Sequence, residues 1–118
     1  MDYSIVKRGP QVDGVEARWI VISRERANER DLESLAAQLV HDTGDHENVL
    51  VFVYTDEVAA GLYDKICNGK ATLRELVYYD RHYVGRYLRH KGAGYHQLSV
   101  YVDGDGSKAG RVIELPPV

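Results

Sequence analysis

The side chains best suited to chemistry lie between Tyr78 and Lys91. There the chain reads Tyr78-Tyr79-Asp80-Arg81-His82-Tyr83-Val84-Gly85-Arg86-Tyr87-Leu88-Arg89-His90-Lys91. Asp80, His82 and, further along, His96 supply an acid and a base, and Tyr83 or Tyr87 adds a hydrogen-bond donor. Arg86 and Arg89 supply fixed positive charge. Two proton-transfer groups beside a guanidinium would suit metal-independent cleavage of a phosphate ester, with Asp80, His82, Arg86 and His96 as the working set. No nucleophile elbow, P-loop or dinucleotide fingerprint accompanies them. Residue types without a recognised arrangement favour binding over catalysis.

The binding reading follows from strand alternation. If residues 83–90 form a strand, Tyr83, Gly85, Tyr87 and Arg89 share one face, and Val84, Arg86, Leu88 and His90 share the other. On the following strand Tyr95, Gln97, Ser99 and Tyr101 alternate with His96, Leu98, Val100 and Val102. The second set is the more apolar and is expected to face the core. That leaves the Tyr95 face open, with Tyr83 or Tyr87 and Arg89 expected beside it. Tyr87, Arg89, Tyr95, Gln97 and Tyr101 would then form a tyrosine-arginine platform for a protein partner or a small anionic ligand.

Metal and cofactor chemistry finds little support. The five histidines, His41, His46, His82, His90 and His96, show no i, i+4 pair of the kind that binds zinc on a helix. Cys67 is the only cysteine, so no intramolecular disulfide and no cysteine-based zinc site can form. Asp103, Asp105, Ser107 and Glu114 fall at positions 1, 3, 5 and 12 of an EF-hand-like loop. Lys108 stands where that loop needs glycine, and the flanks read as strands instead of helices. The loop is expected to be an Asp/Gly hairpin connection. No metal and no cofactor is expected.

The elements that must position these groups follow from periodicity. A chain of 118 residues is expected to form one domain, residues 1–118. Residues 3–8 read as a short strand ending at Gly9-Pro10, and residues 15–23 as a second strand. Leu32, Leu35, Ala36, Leu39 and Val40 mark one buried stripe of a helix over residues 29–42, with Asn28 as its N-cap. Residues 48–55, rich in β-branched and aromatic side chains, read as a central strand. Asp56 caps a second helix that ends at Asn68-Gly69, and Thr72 with Glu75 forms a capping box for a third. Leu73, Leu76, Val77, Tyr83, Val84, Tyr87 and Leu88 also fit one long helix, but Gly85 weakens it, and the favoured reading ends the helix near residues 80–82. A hairpin follows, turning at Lys91-Gly92-Ala93-Gly94, and a last strand spans residues 111–115. The order β-β-α-β-α-α-β-β-β is an α+β fold with a mixed, mostly antiparallel sheet and two to three helices.

Composition narrows the partners. A net charge of −3 argues against general nucleic-acid binding. No apolar run reaches membrane-spanning length, and the N-terminus carries no signal-like core, so the chain reads as cytoplasmic with no membrane partner. The run Tyr-Tyr-Asp-Arg-His-Tyr-Val-Gly-Arg-Tyr, followed by Gly-Tyr-His-Gln-Leu at 94–98, is similar to a pattern in small bacterial proteins without an established activity. The preceding Val-Phe-Val-Tyr-Thr-Asp-Glu-Val-Ala-Ala resembles them too. The resemblance spans residues 49–102 and implies a stand-alone domain of bacterial or phage origin. It carries no functional residue with it. The leading expectation is a non-enzymatic binding domain. The alternatives are the phosphoester hydrolase and a structural module that dimerises, as a homodimer, through an edge strand.

Overall fold

The computed structural model describes residues 2–12 and 14–117. Six strands form one mixed sheet in sequential order, β1 (Ser4–Val12), β2 (Val15–Val21), β3 (Asn48–Tyr54), β4 (Tyr83–His90), β5 (Tyr95–Tyr101) and β6 (Gly110–Glu114). β2 and β3 run parallel, and the other neighbouring pairs are antiparallel. The fold is α+β in the order expected from periodicity. No helix among the described residues is long and apolar enough to cross a membrane.

The parallel pair requires a crossover, which α1 (Glu29–Asp42) supplies. Asn28 caps it by accepting the Asp31 N–H, and Glu29 and Asp31 place negative charge at the positive end of the helix dipole. Its stripe Leu32, Leu35, Ala36 and Leu39 is buried against Ile20, Val49, Val51, Val53, Leu98 and Val100. The three short helices between β3 and β4 cover part of the opposite face. α2 (Glu57–Gly61) is capped by Asp56, and α4 (Leu73–His82) by the Thr72–Glu75 capping box. One continuous helix was expected from Asp56 to Asn68. The helix instead breaks at Leu62 into α2 and α3 (Tyr63–Cys67). Gly61 weakens continuation, and the break sends Leu62, Tyr63 and Ile66 onto the sheet beside Trp19 and Phe52.

β1 runs past Gly9-Pro10, where it was expected to stop. As an edge strand it tolerates a proline without an N–H, and register shifts at Ile5/Lys7 and Gly9/Val12 absorb the irregularity. Trp19 lies so close to Gly9 that a Cβ there would sit 2.8 Å from its ring. β5 stops at Tyr101, one residue early. Val102 opens a 3-10 turn and is exposed, although it was expected to face the core.

The β4–β5 hairpin closes through Lys91–Gly94, with His90 opposite Tyr95. Gly94 takes φ +76°, a left-handed conformation that costs side chains with a Cβ about 1–2 kcal/mol. Gly92 has no positive φ. Gly94→Val should therefore lower stability by at least about 1 kcal/mol in urea unfolding, whereas Gly92→Val should change it little. Equal losses would contradict the turn geometry.

Candidate functional site

Cross-strand partners share a sheet face, so the four-residue turn decides which side chains meet. With His90 opposite Tyr95, Tyr87 pairs with Leu98 and Arg89 with His96. Across the sheet this gives a row Arg18, Val51, Tyr87, Leu98, Ile113 and a row Glu16, Val49, Arg89, His96, both on the α1 face. The other face carries Ala17, Leu50, Leu88, Gln97 and Glu114, then Trp19, Phe52, Arg86, Ser99 and Val112. Tyr87 and Arg89 are thus not beside Tyr95, Gln97 and Tyr101, as the alternation had suggested. They are buried on the opposite face, at 0 % and 1 % exposure. A register shift between Val53 and Tyr54 brings Tyr83 opposite Tyr54, although Gly85 is opposite Val53. This extra residue, Val84, returns Tyr83 to the open face, where its ring lies 5.3 Å from that of Tyr101.

Arg89 is the largest fully buried side chain. Its Nη2 donates to the carbonyls of Thr43 and His46, each at 2.6 Å, and Nη1 donates to the Tyr87 hydroxyl at 3.0 Å. The two carbonyls lie just beyond α1, where a cation is favoured by the helix dipole. The Tyr87 hydroxyl also meets His96 Nε2 at 2.9 Å, and His96 Nδ1 meets the Pro116 carbonyl at 2.5 Å. A carbonyl can only accept, so Nδ1 carries the proton and Nε2 accepts from Tyr87. Beside this chain lies buried Glu16, 3.3 Å from Arg8 Nε and from Arg18 Nε, and 3.6 Å from His46 Nε2. Burial works to raise its pKa, but the hydrogen bond from Arg18 and the charges of His46, Arg18 and Arg8 hold it below the usual carboxylate value.

The four residues of the hydrolytic set are dispersed. His96 is buried on the α1 face, whereas Arg86 is exposed on the other. His82 ends α4, 3.2 Å from Thr55 Oγ1 through Nδ1, with its ring 4.6 Å from that of Tyr78. Asp80 is exposed, and burial together with the Asp105 charge raises its pKa. His90 and His96 also face opposite sides.

What the structure does gather is an aromatic face around Arg86. Trp19 and Phe52 rings stack at 5.3 Å, and Tyr63 leans on both at 5.0 and 4.7 Å. The Tyr54 and Tyr79 hydroxyls are hydrogen-bonded at 2.6 Å. Burial pushes the Tyr79 hydroxyl up to about 12 and the Tyr54 and Tyr83 hydroxyls higher still, so all three stay protonated at neutral pH. Beyond the cover of α2–α4 the face lies open. Tyr95 is 52 % and Val112 56 % exposed, Tyr101 and Leu88 are half-buried, and Gln97 donates to Glu114 at 2.8 Å. Arg86, Leu88 and His90 were not assigned to this face by alternation alone. The turn length was the signal that would have placed them.

Among the described residues no group of three or more His, Cys, Asp or Glu side chains is placed to hold a metal ion. In the EF-hand-like loop Lys108 Nζ donates to Asp103 at 2.9 Å, so an ammonium stands against the first acidic position. No family model matches the chain, and no curated protein or solved structure is detectably similar to it.

Two consequences are testable. Arg89→Ala would strip the His46 carbonyl of its arginine donor and leave the Thr43 carbonyl with the His46 N–H alone, and should cost about 3 kcal/mol in chemical unfolding. A loss under about 0.5 kcal/mol would remove its structural role. For Glu16, a lowered folded-state pKa means that the carboxylate contributes its full stability above about 4.5 and loses it as pH falls through the folded value. Melting temperature should therefore fall more steeply on acidification in the wild type than in Glu16→Gln.

Proposed function

We propose that this chain is a non-enzymatic binding domain that receives a partner protein on the open sheet face of β3–β6. The observation that carries the reading is Arg86. It is exposed, has no ion-pair partner among the described residues, and stands between Phe52 and Ser99 in the sheet row. Leu88 and Tyr101 lie two residues along their strands from Arg86 and its partner Ser99 on the same face, Tyr95 stands further along opposite His90, and the Tyr63 and Tyr83 hydroxyls feel the Arg86 charge. Arginine and aromatic side chains together are the usual composition of an interface centre. An unpaired guanidinium within an apolar surround calls for an acidic side chain on the partner.

The hydrolytic reading draws no comparable support, because His96 and Arg86 face opposite sides of the sheet. Edge pairing of two copies is opposed at both edges. β1 carries two register shifts, and β6 has five residues before Pro116-Pro117. A bacterial or phage origin rests on the sequence pattern of residues 49–102.

The test is affinity capture from a bacterial extract with the wild type, Arg86→Glu, Tyr95→Ala and, as a control on α1, Arg30→Glu. A partner held by the wild type and by Arg30→Glu should be lost from Arg86→Glu and weakened at least tenfold by Tyr95→Ala, about 1.4 kcal/mol or more. All four should melt at similar temperatures. Retention by both face variants would refute the proposal.

A further inference from the structure

We infer that the recess between the β4–β5 turn and the C-terminal segment binds a small oxyanion, the phosphate or carboxylate group of a small molecule. The recess measures about 360 Å³ and is lined by Arg89, Lys91, Gly94, Tyr95, His96 and Pro117. That volume is at the small end of the ~300–1,000 Å³ range of ligand sites. Among the described residues the wall holds two cations and an imidazole, and no acidic side chain.

The decisive group is Arg89. It is 1 % exposed, yet no carboxylate of a described residue lies within ion-pairing distance of it. Its hydrogen bonds go to two backbone carbonyls and a tyrosine hydroxyl, all neutral oxygens. These engage three of the five guanidinium N–H donors, and Nε is buried without a partner among the described residues. A buried charge stabilised only by neutral dipoles keeps most of its electrostatic demand for a counter-charge. An oxyanion in the recess would supply that charge at its Arg89 wall.

The neighbours have separate parts. Lys91 is exposed at the rim, where its ammonium would draw an anion inward. Both nitrogens of His96 are committed, to Tyr87 and to Pro116, so the ring acts as a positioning group that ties the C-terminal segment to the wall. Arg89 and His96 reach the recess from the α1 side of the sheet, whereas Arg86 stands on the other side; Tyr95 borders both the recess and the open face.

The experiment is an amide NMR titration with inorganic phosphate and, separately, acetate, comparing the wild type, Lys91→Glu and Arg86→Glu. Phosphate or acetate should give saturable shifts centred on residues 89–96, with half-saturation below about 20 mM. Whichever anion binds more tightly identifies the source of the oxyanion. Lys91→Glu should weaken that binding about tenfold or more without lowering the melting temperature. Arg86→Glu should leave it unchanged. The inference is overturned if neither anion gives saturable shifts, if the shifts map to the open sheet face, or if Lys91→Glu binds as tightly as the wild type.

Discussion

The guanidinium of Arg89 fixes how the two halves of this fold meet. α1 must end, turn, and deliver the chain into β3 parallel to β2, and two carbonyls of that turn, those of Thr43 and His46, take a side-chain donor from elsewhere. Both are satisfied from β4, the strand on the far side of β3. One side chain thus joins a helix terminus to a strand more than forty residues away in sequence. Tyr87 and His96 extend the connection to Pro116, so the C-terminal segment is anchored to the same point. Because the surroundings are dry, every donor left unmatched there is costly, which is why the recess chemistry centres on this residue.

The two faces of the sheet solve different problems. On the α1 face, aliphatic side chains from four strands fill the layer under one helix, and polar groups are confined to its lower end around Glu16, Arg18 and Arg89. On the other face, three short helices cannot span six strands. Helices and sheet meet there through aromatic rings that retain hydrogen-bonding hydroxyls, as with Tyr79 of α4 and Tyr54 of β3. Tyrosine suits the boundary between covered and open sheet, since its ring is buried while its tip meets water or a partner. Arg86 stands at that boundary.

The capping residues, the α1 stripe and the Gly94 turn were legible because each depends on local physics. Asn28, Asp56 and Thr72 bond backbone groups three residues away, and Leu32, Leu35 and Leu39 repeat at the helical period. The break at Leu62 and the passage of β1 through Pro10 were not legible, because each is decided by what packs against the segment. Tyr63 is drawn onto Trp19 and Phe52, and the edge position of β1 spares the missing N–H.

By itself the sequence determined the helix caps, and it favoured the hairpin and hence the α+β order over one long helix, since these follow from short-range hydrogen bonding and side-chain period. It also determined that residues 83–90 would present two different faces. The tertiary structure decided which face was which, through the register that the four-residue turn sets. Alternation has no sign of its own, and the pairing of His90 with Tyr95 supplies it. That pairing put Arg89 under α1, where its donors meet the helix terminus, and left Arg86 facing outward. Two arginines three residues apart are alike in sequence. Their environments differ because a strand turns successive side chains to opposite faces, and only one of those faces lies under α1.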